Sequence, residues 1–520
     1  MATLKELRAE RLRKLEDLTA LGVPAYPAVS RRTHKTGDII ANFDSHQGST
    51  VVVAGRIVGI RKFGKLAFVV LKDASGSIQL FLTEKGMTPA ASLSLPGEET
   101  APLINRQNSE LAFGDLPLLD TGDFLEATGE VVRTKTGEIS IAVKEMRLLT
   151  KSLRPLPLER EGFTNKEERL RRRYVDTNVN PDVYQRYIRR SNFWQAVRQY
   201  LILNEFIEIN TPVLELTTGG ADATPFVTHM DALDQDFYLR ISHELPLKRL
   251  LVGGYEKVFD IGPRFRNENY SDEHLPEHVA MEWYWAYADW EKGMQLTEEL
   301  VRYLADKTWG KRQFTLANGQ EIDLGADGET WPRISFVEVI KERYGLDVFT
   351  ASLDEVKAQL AKHNIEVEKQ DNRARGIDKL WKKIRPTIAG PAFLVDIPTF
   401  LQPLAKTQPG KPELTEQFNL LLGGSEQGKA YSELNDPQEQ LARFVEQQAM
   451  RDAGDDEAQM LDIDYVEALE YGMPPACGFG FSERLFWSLE GVTAREGVVF
   501  PQLRREVDEV TKALYPELHL

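Results

Sequence analysis

The chain lacks most of the features that place a protein in a class at a glance. A single cysteine, Cys477, stands among 520 residues, which excludes an intrachain disulfide and any cysteine-rich zinc centre. No apolar run approaches the roughly 18 to 20 residues that cross a bilayer, and the opening MATLKELRAERLRKLEDL holds no secretory apolar segment. That opening reads as a charged amphipathic helix closing near Gly22 and Pro24. The expectation is a cytoplasmic protein with no membrane partner. Positive charge is also in deficit: 64 Lys and Arg against 80 Asp and Glu leave a net charge of -16. Phosphate contacts draw on Lys and Arg, so this balance confines any nucleic-acid partner to local basic clusters. Lys5, Arg8, Arg11, Arg13 and Lys14 form one such cluster, and Arg169, Arg171, Arg172 and Arg173 another. Each reads equally well as a solvated face balanced by neighbouring glutamates. Internal repeats and low-complexity tracts are absent from the sequence.

What is present suffices for two or more domains with large cores, at 42% hydrophobic and 28% charged residues. From Val51 to about Leu149, short strand-like runs alternate with the turn signals Gly64-Lys65, Ser75-Gly76 and Thr136-Gly137, predicting a small β-barrel. Residues 151–180, proline-rich and then charged, read as a linker. Asp182 to Asn204 places Tyr187, Trp194, Val197 and Leu201 at helical spacing, ahead of a β-branched run ending at Thr211-Pro212. The remainder alternates strands and helices around a largely antiparallel sheet. Residues 332–391, which include SLDEVKAQLAKHN, read as a helical insertion. The fold class is therefore α+β, with a helix and barrel in 1–150 and the second domain in 181–520.

The most informative stretch is RFRNENYSDEHLPEHVAMEWY, residues 264–284. Its second half alternates with period two: His278, Ala280, Glu282 and Tyr284 share one strand face, and Val279, Met281, Trp283 and Trp285 the other. The same period puts Arg264, Arg266 and Glu268 opposite Phe265. Two antiparallel strands would then line a groove with Arg266, Glu268, Glu282 and Tyr284. A salt-bridged sheet surface is the commoner fate of such charges. It does not account for a carboxylate and a phenol recurring on an otherwise apolar strand.

FRNE, the loop carrying His274, and PEHVAMEWYWAYAD closely resemble motif 2 of class II aminoacyl-tRNA synthetases, specifically the lysyl-tRNA synthetase family of subclass IIb. The resemblance runs on through VAGRIVGIRKFGKLAFVVLKDASGSIQLFL (51–82), TKTGEIS and LRPLP (134–157), and SELNDPQEQLARF and AGDDEA (432–458). It implies that the barrel is an OB-fold receiving the tRNA anticodon, with Phe68 as a stacking platform, Gln79 reading a base edge and Glu130 facing the anticodon. Phe68 reads equally as core. The helix at 182–204 would be motif 1 of a homodimer interface, although a plain amphipathic helix shows the same spacing.

For the chemistry, the resemblance implies ATP-dependent activation of L-lysine and its transfer to tRNA. Activation needs no general base, since a carboxylate is already a nucleophile and requires only placement and charge neutralisation. Arg266 would bridge the substrate carboxylate and the α-phosphate. Glu268 would accept from adenine, His274 would reach the distal phosphates, and Arg484 in GFGFSERL would stack on adenine. Glu244 beside Gly220 would meet the α-ammonium. Glu433 with Tyr284 would hold the ε-ammonium, in a pocket that Glu282 and Tyr431 help to line. Magnesium would sit on Glu426, with Asn419 where a second carboxylate is expected. The other departures from the family pattern are Lys429 for an asparagine, His278 for a phenylalanine stacking on adenine, Glu273 for a basic residue, and a motif 3 one residue short. They leave two alternatives open: specificity for aspartate or asparagine, or a tRNA-binding paralogue without catalysis.

Overall fold

The computed structural model describes residues 3–87, 105–157, 163–268, 271–368, 371–454 and 458–518. Residues 158–162 of the expected linker and 455–457 of AGDDEA lie outside this set. The chain divides into two compact units, Met1–Phe163 with Arg504–Leu520, and Thr164–Leu503.

The first unit opens with helix α1 (Leu4–Ala20), started by a capping box between Thr3 and Glu6. Five longer strands follow, besides the two-residue strand Glu110–Leu111: β1 (Thr50–Phe63), β2 (Leu66–Asp73), β3 (Gly76–Thr83), β4 (Phe124–Arg133) and β5 (Ile139–Thr150). They run in the order β3-β2-β1-β4-β5, and parallel pairing of β3 with β5 closes the barrel, which removes the sheet edges. Alternation sends Ala67, Val69, Leu71, Ile78, Leu80 and Leu82 inward to a core shared with Leu18 of α1.

In the second unit, helix α2 (Pro181–Leu203) precedes α3 (Glu244–Val252), strands β6 (Lys257–Phe265) and β7 (Glu277–Ala286), and helix α4 (Trp290–Trp309). Three helices, α5 (Phe336–Tyr344), α6 (Leu353–Lys362) and α7 (Arg373–Ile384), fill the stretch read as an insertion and have their own core around Trp381. Strands β8 (Ala392–Val395), β9 (Gln417–Leu422) and β10 (Ser425–Ser432), helices α8 (Pro437–Asp452) and α9 (Ile463–Glu470), strand β11 (Ala476–Ser482) and helix α10 (Arg484–Glu490) complete it. The central sheet has the order β8-β9-β10-β11-β7-β6, antiparallel throughout, with a short parallel strand at each edge, Arg333–Ser335 and Ile207–Glu208. One face carries Met281, Trp283, Phe418, Phe479 and Phe481 into the main core beneath α2 and α4. The other face is polar at its centre and carries the site.

Several expectations change. The stretch 151–180 is not a uniform linker: Lys151 is buried in the first unit on Asp120 and Asp123, and residues 166–179 form two short helices in the second. The end of the chain, read as part of the second domain, belongs from Arg504 to the first unit. The basic clusters are largely neutralised, as the balanced-face reading allows. Arg169 and Arg173 meet Asp176, Arg171 meets Glu167, Arg172 meets Glu168, and Arg13 meets Glu10 and Asp17.

Candidate functional site

The polar face of the sheet is a platform built by register. Across β7 and β11, Glu282 stands opposite Gly480 and Tyr284 opposite Gly478, so each large polar side chain faces a position without a Cβ. A Cβ on Gly478 would overlap the Tyr284 ring and the Glu433 carboxylate. The residues that replace glycine in the shortened motif both find partners. Phe481 turns to the core and stacks on Trp194, with ring centroids 5.9 Å apart, and Ser482 accepts from the Arg484 backbone N–H at 3.3 Å.

Over this platform lies a cavity of about 280 Å³ whose walls include Gly220, Glu244, Arg264, Arg266, Glu282, Tyr284, Tyr431, Glu433, Gly478 and Arg484. Gly220 is needed twice over: its φ is +81°, and a Cβ there would stand 2.7 Å from that of Glu244. Residues distant in sequence therefore converge, as the sequence reading requires.

Three buried carboxylates dominate. Glu282 accepts from the Ser242 hydroxyl at 2.7 Å, the His243 backbone N–H at 3.1 Å and the Tyr284 hydroxyl at 3.1 Å. The His243 ring stands 3.6 Å from it and the Arg264 guanidinium 3.5 Å. Burial alone would raise its pKa; the His243 and Arg264 interactions and the donated hydrogen bonds win and hold it at about 2. It is an anion at neutral pH. Glu244 and Glu433 are pushed the other way, upward, because burial outweighs the Lys248 ammonium that each faces. Lys248 lies 2.5 Å from Glu244 and also pairs with Glu433. The Tyr431 hydroxyl donates to Glu244. Burial and these acids keep Tyr284 and Tyr431 protonated phenols, with pKa values well above the ordinary one.

The second half of the site is cationic. Arg266 falls just beyond β6, its backbone N–H bonded to the Pro276 carbonyl at 2.8 Å. The strand ends at Phe265, so Glu268 does not extend the Arg264 row as the alternation predicts. It lies instead in the loop and, with Arg266, Glu273, His274, His278 and Arg484, lines a small cavity of about 30 Å³. His278 is fixed as a neutral tautomer: Nε2 accepts from Arg264 Nε at 2.9 Å, and Nδ1 donates to the Leu275 carbonyl at 3.1 Å. Its pKa is driven well down by burial and then by Arg264 and Arg266. His274, on the exposed loop, is drawn down to about 4, first by desolvation and then by Arg484. Glu273 is taken up by Ser425 at 3.1 Å and approached by Arg385 at 3.9 Å. Lys429 is exposed and donates to Gln402 at 3.4 Å.

Glu426 is clamped. Trp381 of α7 donates to one oxygen at 2.5 Å and Asn419 to the other at 3.1 Å, while Arg484 donates to the Glu426 backbone carbonyl at 3.1 Å. The amide at 419 thus acts as a hydrogen-bond donor to the carboxylate. Among the described residues no group of three or more His, Cys, Asp or Glu is placed to hold a metal ion. A lone, pre-oriented carboxylate fits an ion that arrives with a triphosphate and keeps its waters, and does not fit a prebuilt cage.

On the barrel, Phe68 pairs with Phe81, Phe81 with Ala142 and Ala142 with Glu130, while Gln79 lies two residues from Phe81. Direct pairing and period two put Phe68, Gln79 and Glu130 on one half-buried face. Gln79 donates to the Ser140 hydroxyl at 3.0 Å. Phe68 contacts Phe63 and Phe81, with centroids 6.4 and 5.7 Å away.

Lys248, His243, Trp381 and Arg385 were not singled out in the sequence, and Arg264 was placed on the strand face without a role. Only Arg264 carried a signal, as the alternating partner of Arg266.

A family model described as tRNA synthetases class II (D, K and N) matches residues 165–504, and one for an OB-fold nucleic acid binding domain matches 51–149. The chain is 40% identical over 512 residues to the lysine-tRNA ligase of Fervidobacterium nodosum, covering 97% of this chain and 95% of that one. It is 41% identical over 508 residues to the lysine-tRNA ligase of Roseiflexus castenholzii (96% and 99%) and 38% over 518 residues to that of Thermotoga maritima (98% and 98%).

Proposed function

The chain belongs to the class II tRNA synthetases of the D, K and N group, and from that premise we propose that it is a lysine-tRNA ligase, which activates L-lysine with ATP and transfers it to tRNA. The relatives that match nearly its whole length carry that name. The observation that carries the choice of amino acid is the pocket floor. Three buried acids and two phenols converge there, while the exposed Lys429 points its ammonium to Gln402. A side-chain carboxylate would enter against Glu433 and Glu244, whereas an aliphatic ammonium is what such a lining takes. This disfavours aspartate. The intact arginines speak against a paralogue without catalysis.

In activation, the lysine carboxylate attacks the α-phosphorus of ATP and pyrophosphate leaves; in transfer, a ribose hydroxyl of the tRNA terminus attacks the acyl carbon and AMP leaves. Glu244, beside Gly220, receives the α-ammonium, and Glu433 with Tyr284 receives the ε-ammonium against the Tyr431 wall. Arg266 forks between the carboxylate and the α-phosphate, where negative charge shifts during attack. Glu268 accepts from adenine, His278 and Arg484 flank its ring, and His274 reaches the distal phosphates. Glu426 would hold a magnesium ion that neutralises triphosphate oxygens. Phe68, Gln79 and Glu130 meet the anticodon on the barrel face. The working protein is a homodimer in the cytoplasm; no helix among the described residues is long and apolar enough to cross a membrane.

Charging of tRNA with labelled lysine tests the reading. Transcripts carrying a lysine anticodon should accept it and those carrying an aspartate anticodon should not. Absence of charging with either would overturn the assignment.

A further inference from the structure

Two of the three pocket acids already have a cation from the protein itself. Lys248 is fully buried, with its ammonium 2.5 Å from Glu244 and also paired with Glu433. Those are the two carboxylates that, on the reading above, receive the two ammonium groups of lysine. The ammonium also lies over three rings, 5.9 Å from the centroid of Tyr284, 5.2 Å from Tyr431 and 5.9 Å from Tyr465. Apart from Lys248, neither Glu433 oxygen has a donor among the described residues. Glu282, the third anion, is satisfied separately by Ser242, His243, Tyr284 and Arg264.

We propose that Lys248 is a positioning residue, an internal counter-ion that works against the protonation that burial favours at Glu244 and Glu433 in the empty pocket, so that capture of a doubly cationic amino acid has fewer protons to strip from buried acids. The inference rests on the lysine reading and deepens it. Two carboxylates enclosed without a cation cannot both stay ionised in a low-dielectric site. The other cations nearby are engaged elsewhere, Arg249 of α3 with Asp462 and Arg264 of β6 with Glu282. The remaining groups are acids: Glu282 and Tyr284 on β7, Tyr431 on β10, Tyr465 on α9 and the Cys477 thiol on β11. With Lys248 the Glu244–Glu433–Lys248 set carries one net negative charge. Without it, an incoming ammonium competes with a proton.

The test compares wild type with Lys248→Met, which keeps the length and removes the charge, in lysine-dependent ATP–pyrophosphate exchange from about pH 6 to pH 9. Wild-type KM for lysine should stay within about threefold across the range, and that of the variant should rise by up to roughly tenfold per unit as pH falls, with KM for ATP unchanged. The pair Glu244→Gln with Lys248→Met restores the net charge, so its KM for lysine should be raised yet flat with pH. A pH-flat KM in Lys248→Met, or equal losses for lysine and ATP, would overturn the inference and mark Lys248 as merely structural. Should the variants fail to fold, calorimetry of lysine binding to wild type in buffers of different ionisation enthalpy decides. No net proton exchange supports the proposal, and release of about one proton per lysine overturns it. Wild type that shows no exchange with lysine at any pH overturns the functional reading itself, an outcome distinct from either.

Discussion

Replacing Gly478 with alanine should close the amino-acid pocket while leaving the nucleotide half intact. Gly478 sits in the middle of β11 opposite both Tyr284 and Tyr431, and an added Cβ would overlap Tyr284 Cε1 and Glu433 Oε1. Neither neighbour can yield cheaply. The Tyr284 ring is 3% exposed and its hydroxyl is bonded to Glu282, and Glu433 is held by Lys248. Overpacking of this kind costs about 1–3 kcal/mol. If most of it falls on the bound state, KM for lysine rises by roughly 5- to 150-fold at unchanged KM for ATP. Gly480 is the control in the same strand, since a Cβ there meets Glu282 Cγ at 3.0 Å and only a few tenths of an ångström must be given up. Its alanine variant should shift KM for lysine by no more than about fivefold. Steady-state pyrophosphate exchange with each substrate varied, alongside thermal unfolding, reads both effects. An alanine at 478 that leaves lysine KM unchanged, or that raises ATP KM equally, would refute the placement of the pocket.

Further outcomes follow from the same geometry. The folded pKa of Glu282, about 2, lies below its unfolded value, so its contribution to stability is present above about pH 4.5 and is lost as pH falls toward 2; it amounts to about 3 kcal/mol. Glu282→Gln should therefore be less stable than wild type to urea at neutral pH, with the gap narrowing on acidification, and an equal gap at pH 7 and about pH 3 would contradict this. Because the His274 pKa is drawn down to about 4, binding of a triphosphate beside it should pull in a fraction of a proton near pH 6, measurable by calorimetry in two buffers; zero uptake would place the ring away from the phosphates. Asn419→Asp sets a second carboxylate beside Glu426 in place of the 3.1 Å amide contact, and should lower the magnesium concentration for half-maximal exchange by about tenfold. Phe68→Ala on the barrel face should reduce kcat/KM for tRNA by about 5- to 150-fold, the worth of one stacked base, without touching pyrophosphate exchange.

The strand alternation at 278–285 carried the site's floor in plain view, since period two alone separates Glu282 and Tyr284 from Met281 and Trp283. It failed at Glu268 because β6 stops at Phe265, and nothing local announces where a strand gives way to a loop. Asn419 stands where a second metal carboxylate was expected, and its amide donates to Glu426, a contact that exists only once β9 and β10 pair. Lys248 and Trp381 were invisible for a similar reason. On its own helix each is an ordinary long or aromatic residue, and only the docking of α3 and α7 against the sheet gives it a carboxylate partner. In the shortened motif, Gly478 and Gly480 keep the face that lies against Tyr284 and Glu282, and Phe481 takes the other.

The central claim, that this pocket takes an amino acid with a cationic side chain, is tested most directly by ATP–pyrophosphate exchange with the intact chain against a panel of all twenty amino acids. Exchange should be driven by lysine alone at comparable concentrations. Exchange driven better by aspartate or asparagine would contradict it.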